Sequence, residues 1–281
     1  MRLLTLLLVF IPFFSNSQTI CSKESRERVD STLTVLSQRD VSHKSMNDLV
    51  LEIGTGFLNT PYVEKTLDLP GDEKLIINLV GLDCTTYLET VITLVRLTKL
   101  GQFSFEDYEK QLEFLRYRDG VRTDYPSRLH YFSDWIYNNQ QKGILTDITR
   151  DIGGEIYANN PSFMSENPKS YAQLSNEDFI DDIKQNEKEI KSRTYYYLPK
   201  ETVESHEDKI KSGDLIAITI AMDNLDISHV GIAIEQDGRI HLLHASSNSK
   251  KVEISEKPLS DYLLIHKSQS GIIVCRLKEP K

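Results

Sequence analysis

Cysteine is scarce in this chain and never closely paired: its 281 residues hold three, Cys21, Cys84 and Cys275, with no Cys-x-x-Cys among them. That spacing excludes a thiolate zinc site and a disulfide-stapled scaffold. The seven histidines lack the helical spacing of metal ligands, so neither a metal nor another cofactor is expected. Basic excess is missing too: 33 Lys and Arg stand against 42 Asp and Glu, a net charge of −9. With no basic cluster, nucleic acid and anionic lipid are poor partners. No apolar run is long enough to span a bilayer, so stable membrane insertion is not expected. Internal repeats, phosphate-cradling glycine loops and low-complexity tracts are absent as well. What is there is a chain of 39 % hydrophobic residues, long enough for one large domain with its own core.

The chain start reads differently. Met1-Arg2, an apolar run over 3–14 and Ser15-Asn16-Ser17 have the three parts of a secretory signal, with cleavage after Ser17. The mature chain, 18–281, is therefore expected to be a single exported domain with a periplasmic home. Lipid attachment at Cys21 is disfavoured, because Ile20 stands where a lipidation site has a small residue. Two readings of Cys21 and Cys275 stay open: a bridge tying the chain ends, or a cysteine on a mobile tail and a core strand residue.

Cys84 sits in Gly81-Leu82-Asp83-Cys84-Thr85-Thr86, where a loop turns into a periodic helix. Leu88, Val91, Ile92 and Val95 fall at helical spacing, and Gly101 follows as a stop. Asp83 as N-cap puts Cys84 in the first turn, where unpaired N–H groups and the helix dipole favour thiolate. This makes Cys84 a candidate nucleophile.

A nucleophilic thiol needs a base, and the late hairpin supplies one. Val230, Ile232 and Ile234 alternate with His229, Gly231 and Ala233, and Asp237-Gly238 is a two-residue turn signal. Counting outward from that turn pairs Gln236 with Arg239, sets Gly231 opposite His244 and His229 opposite Ser246. Both imidazoles then point to one face as diagonal neighbours, Gly231 leaving room for a ring, unless a bulge shifts the register. His241 falls on the other face and reads as structural.

A cysteine at a helix start, then a histidine opening a strand, then a polar residue on the next strand is the chain order of papain-like thiol enzymes. Asp83-Cys84, Ser212-Gly213-Asp214-Leu215, His229-Val230-Gly231-Ile232 and His244-Ala245-Ser246, with Thr60-Pro61-Tyr62 upstream, resemble the motif series of the NlpC-type cell-wall peptidases and amidases. Asp83-Cys84-Thr85-Thr86 stands in place of the usual Asp-Cys-Ser-Gly, and more than a hundred residues separate the cysteine helix from Gly213. Those departures, with Tyr131-Phe132-Ser133-Asp134-Trp135, resemble the N-acetylmuramoyl-L-alanine amidase-like branch found in Gram-negative bacteria. The resemblance runs from about Asn47 to the C-terminus. It implies a cysteine hydrolase that cuts the amide between N-acetylmuramic acid and L-Ala in peptidoglycan or its fragments. A stem-peptide endopeptidase and a non-catalytic muropeptide-binding module are the alternatives.

The expected fold class is α+β, with a papain-like, NlpC-type core. Helices are expected over 25–38, 45–57, 105–116, 127–141 and, capped by Ser175, 175–191, the last a solvated face. Strands are expected over 215–220, 229–235, 240–245, 252–254 and 272–277, and 147–156 is strand or loop. Packing the Cys84 helix on that antiparallel sheet would bring the thiol to His229. A large, mostly helical insert over 101–211 would wall the cleft.

In the expected chemistry Cys84 attacks the amide carbonyl, His229 moves its proton and His244 orients His229. The Cys84 N–H and the Tyr62 phenol are candidate donors to the oxyanion. Asp83 either caps the helix or holds a substrate N–H. Arg128, Tyr131 and Trp135 of the insert are candidates to bind sugar and peptide, with Ser228 beside His229 and, more weakly, His130.

Overall fold

Capping chemistry fixes the helices around Cys84 in this computed structural model, which describes residues 19–41 and 43–281. The signal-like segment 1–17 lies outside the described residues. Helix α1 (Lys23–Ser37) is capped by Ser22, and α2 (Met46–Thr55) by a reciprocal box of Ser45 and Asp48. In α3 (Cys84–Leu100) Asp83 and Thr86 form the same box, and Gly101 closes the helix in the left-handed conformation at φ 66°. Helix α4 (Phe105–Arg116) follows behind a Ser104–Asp107 box.

Helix α3 is not the one-sided helix its apolar spacing implies. Every residue from Thr86 to Thr98 is buried, because α1, α2 and α4 surround the faces that the sheet leaves open. Its polar groups therefore find partners inside the protein. Arg116 of α4 donates through Nε to Glu89 at 2.7 Å and through Nη1 to the Ile76 carbonyl at 2.7 Å.

Strand β1 (Thr19–Cys21) pairs in parallel with β2 (Leu75–Ile77). Cys21 is thus a strand residue rather than part of a mobile tail, and both it and Cys275 are free thiols. The main sheet has eight strands. The insert contributes β3 (Leu145–Asp147), β4 (Glu155–Tyr157) and β5 (Tyr195–Pro199), and the late chain contributes β6 (Leu215–Ile220), β7 (Ile227–Gln236), β8 (Arg239–Ser246), β9 (Lys251–Ile254) and β10 (Gln269–Leu277). Their order is β4-β5-β10-β6-β7-β8-β9, with β3 also on β10, and every pairing is antiparallel.

The insert is therefore less helical than expected, because β3 and β5 complete the sheet beside β10. Its helices are α4, α5 (Phe132–Gln141), the short α6 (Phe163–Glu166) and α7 (Glu177–Lys191). Helix α5 starts later than the sequence pattern suggests. Tyr125–Ser127 make a 3₁₀ turn capped by Asp124, and the Leu129 N–H is taken by the Arg116 carbonyl. Asn176, not Ser175, caps α7, and Glu187 on its supposed solvated face is buried, accepting from Tyr131 and Ser165. An eighth helix, α8 (Leu259–Ile265), interrupts the final strands.

The sheet has two packed faces. Val230, Ile232, Leu243 and Ala245 share a core with α3, whereas Ile216, Ile218 and Leu242 pack with Leu259 and Leu263 of α8. The Ser212-Gly213-Asp214 motif locks the sheet to α2. Gly213 has φ +89°, and a Cβ there would sit 2.5 Å from the Asn47 carbonyl oxygen. Asp214, fully buried, accepts from Asn47, the Lys211 N–H and the Arg276 guanidinium. Among the described residues no helix is long and apolar enough to cross a membrane.

Candidate active site

Cys84 is the first residue of α3, and Asp83 is tied down as its cap. Asp83 Oδ1 accepts from the Thr86 N–H and hydroxyl, both at 2.8 Å. The backbone N–H groups of Val230 and Thr85 pull the thiol toward thiolate, against the larger effect of burial. Val230 is free to donate because of the neighbouring ladder. Strands β7 and β8 pair from Gln236–Arg239 as far as Ile232–Leu243, and Val230, whose N–H acts on the thiol, lies two residues beyond that last pair.

The two histidines meet as the hairpin count requires. The ladder opens on Gln236–Arg239, and His229 Nε2 lies 2.6 Å from His244 Nδ1 with the rings edge to face. Gly231 is needed for this, since a Cβ there would stand 3.0 Å from the His244 Cβ and 2.9 Å from the Leu243 carbonyl oxygen. A bulge does occur, but between β6 and β7 near Ser228, where it leaves the His229–His244 relation intact. His241 hydrogen-bonds the Ser255 carbonyl at 2.8 Å, a structural role.

Alternation places both imidazoles on the α8 face, opposite the α3 core formed by Val230, Leu243 and Ala245. Helix α3 does not lie over the histidines. Its first residue, Cys84, lines one cavity together with Ser228 and His229.

Burial sets the protonation states. It pushes the Cys84 thiol up to about 11, and the Asp83 carboxylate adds to the rise. It pulls His229 down to about 4, with His266 contributing, and His244 down to about 3, with His229 contributing. The thiolate expected from the helix start is therefore not the resting form; desolvation outweighs the dipole. At neutral pH the site holds a thiol and two neutral imidazoles. One proton sits between the rings, and with His229 Nε2 donating to His244 Nδ1, His229 Nδ1 is left as an acceptor.

The substrate candidates divide. Tyr62 lies beside the thiol: burial, then Cys84 and Asp83, raise its phenol to about 12, so it stays a donor. Tyr131 and Ser228 line the thiol cavity, although the Tyr131 hydroxyl is already given to Glu187 at 2.8 Å. Arg128 and Asp83 line a second, adjoining cavity, and His130 lies on the border of both. Trp135 reaches neither. It is 1 % exposed, stacks on Phe132 and donates its indole N–H to Glu89 at 3.1 Å, so it is a core residue.

Two groups escape the sequence pattern. Tyr262 of α8 stands edge-on to His244 at 5.9 Å and lies tilted against His266 at 4.5 Å; no periodicity marks so short a helix. Asp226, buried in the cavity wall, accepts from the Ser133 N–H of α5 at 2.7 Å and so joins the insert to the strand of His229. Its place just before Ser228-His229 was the available signal. Among the described residues no group of three His, Cys, Asp or Glu could hold a metal.

Known proteins resemble the chain over most of its length. An N-acetylmuramoyl-L-alanine amidase from Bacteroides uniformis is 38 % identical, with a TM-score of 0.79 over 83 % of this chain and 99 % of that one. A putative xylanase from Bacteroides fragilis is 39 % identical, with a TM-score of 0.76 over 80 % and 99 %. A protein from Legionella pneumophila at 24 % identity shares the fold, with a TM-score of 0.68 over 90 % and 94 %. No curated protein sequence matches significantly. A family model described as AmiA-like, N-acetylmuramoyl-L-alanine amidase-like, matches residues 52–272, a span that holds Cys84, His229 and His244, and the chain belongs to that family.

Proposed function

We propose that the protein is an exported cysteine hydrolase that cleaves the amide between N-acetylmuramic acid and L-Ala in peptidoglycan fragments. The observation that carries the reading is the His229–His244 pair, 2.6 Å apart, with His229 lining the cavity that holds the thiol of Cys84. The papain-like, NlpC-type core is part of the same proposal, supported by α3 packed on an antiparallel sheet with the thiol in its first turn.

Because the resting pair is neutral, attack and proton transfer are coupled. Cys84 Sγ bonds to the carbonyl carbon as His229 Nδ1 takes the thiol proton, and His244 stabilises the imidazolium through its Nδ1 lone pair. The oxyanion is met by the Cys84 N–H at the helix start and by the Tyr62 phenol. Collapse breaks the C–N bond, His229 returns the proton to the leaving amine of L-Ala, and a thioester remains. Water, deprotonated by His229, then adds to the thioester carbon, and the C–S bond breaks to restore the thiol.

The xylanase name of one relative points to another chemistry, which the site supports less well. Glycoside hydrolysis uses two carboxyl groups across the scissile bond. Among the described residues of the thiol cavity the carboxylate is Asp226, held by the Ser133 and Ile227 N–H groups. The signal-like 1–17 segment supports export, since wall fragments are met outside the inner membrane.

The test is the mass of products from purified N-acetylmuramoyl peptides. Release of the free sugar acid together with a peptide that begins at L-Ala is expected. Peptides shortened at an internal stem bond would instead establish an endopeptidase.

A further inference from the structure

The thiol cavity does not end at Cys84. A second cavity adjoins it, sharing Thr85, Leu129, His130 and Tyr171 as a common wall. The two differ in chemistry. Phe132, Met164, Leu225 and Ile227 give the first an apolar lining around Cys84, whereas Lys65, Asp68, Asp83, Glu89, Arg116 and Arg128 line the second.

The charges in the second cavity are unequally used. Glu89 accepts from Arg116 and from the Trp135 indole, and Asp68 pairs with Arg128. Arg116, 3 % exposed, commits Nε to Glu89 and Nη1 to the Ile76 carbonyl, which leaves Nη2 without a protein partner. Arg116 lines this cavity, and its Nη2 is not sealed from solvent. Lys65 is exposed at the rim, and among the described residues its ammonium makes no ion pair. Nearer the thiol, Asp83 gives Oδ1 to Thr86 and leaves Oδ2 as an acceptor. The cavity thus offers an acceptor beside the reacting centre and cationic donors beyond it, the pattern of a peptide N–H followed by a carboxylate.

On the reading above, we infer that this charged cavity is the subsite for the peptide half of the substrate, holding a free stem-peptide carboxylate on Arg116 and Lys65, while the apolar cavity takes the sugar and its lactyl group. The long insert then has a chemical purpose, since it supplies Arg116's neighbour Arg128 and the His130 border between the halves.

Two substrates that differ at one group test this: N-acetylmuramoyl-L-Ala-D-Glu and its α-carboxamide, N-acetylmuramoyl-L-Ala-D-isoglutamine. They share the sugar and the scissile amide. The expected result is a kcat/KM about tenfold or more higher for the carboxylate, the scale of one charge-assisted hydrogen bond. In Lys65→Asn that preference should fall several-fold. Asparagine suits the test because Lys65 has φ 59°, a conformation asparagine adopts readily. Equal kcat/KM for the two fragments in the wild type, or an undiminished preference in Lys65→Asn, overturns the assignment. Cleavage of neither fragment would strike the amidase reading instead, so the two failures are told apart.

Discussion

Two regions of this molecule bury ionisable side chains and treat them in opposite ways. Around Cys84 the thiol and both imidazoles have no counter-charge of opposite sign, and burial drives all three neutral. In the insert Asp134 is buried more deeply than Cys84 or His229, at 2 % exposure, yet Arg118 and Arg193 clamp it from two sides, the latter at 2.6 Å. The difference separates a reactive site from a scaffold. Neutral groups near one another can exchange a proton as charge develops, whereas a paired buried charge is held in place and costs stability when its partner is lost.

Removing the proposed nucleophile is the sharpest way to draw that line. Cys84→Ala should lower turnover by about 10⁴-fold or more with an unchanged melting temperature. Undiminished turnover would falsify the thiol mechanism. His229→Ala should cost about 10²–10⁴-fold as the loss of a general base, and His244→Ala markedly less, because water can partly replace an orienting group. Steady-state kinetics on a muramoyl dipeptide measures all three.

Asp134→Asn should do the reverse. Leaving Arg118 and Arg193 without their shared carboxylate is expected to cost about 3–5 kcal/mol in denaturant unfolding. The kcat of the fraction that remains folded should stay near wild type. A stable variant with lost kcat would move Asp134 from scaffold to site.

A smaller effect lies in pH. His229 and His244 titrate lower in the folded protein than the ordinary 6.5, so the unfolded chain binds protons first as pH falls. Their contribution to stability is complete above about pH 6.5 and is lost as pH falls toward about 4, each tenfold difference in proton affinity between the folded and unfolded chain being worth about 1.4 kcal/mol. The double variant His229→Gln, His244→Gln should show a flatter stability profile between pH 6.5 and 4. Parallel profiles would mean that carboxylates elsewhere dominate acid unfolding.

Smallest of all, Tyr262→Phe should keep both kcat and its acid limb, since the edge-on ring contact with His244 survives. Tyr262→Ala should lower kcat with little change in KM and move the acid limb upward as water reaches His244. An unmoved acid limb in a well-folded Tyr262→Ala would reduce this tyrosine to packing.

The same division governs what could be read from the sequence. The hairpin of His229 and His244 was legible because its information is local: Asp237-Gly238 fixes the turn, and period two does the rest. Asp83, Thr86 and Gly101 likewise announce both ends of α3. The insert was not, because its order comes from partners far away in the chain, such as Glu187 with Tyr131 or Asp226 with Ser133. Trp135 shows the limit clearly. Aromatic residues at helical spacing give the same pattern whether they face a ligand or, as here, a buried glutamate. Burial of the thiol was equally invisible, and with it the reversal of the expected thiolate.

The interrupted pairing of β7 and β8 has a consequence for any attempt to harden this protein. The Val230 N–H that draws the thiol toward thiolate is the same group that would extend the ladder past Ile232–Leu243. Selection for heat resistance would favour substitutions that zip the two strands further, and an added rung at Val230 would take that N–H away from the thiol. Thermostable descendants should therefore arise through the insert and the outer helices, leaving this gap in the sheet untouched as the toll that activity levies on stability.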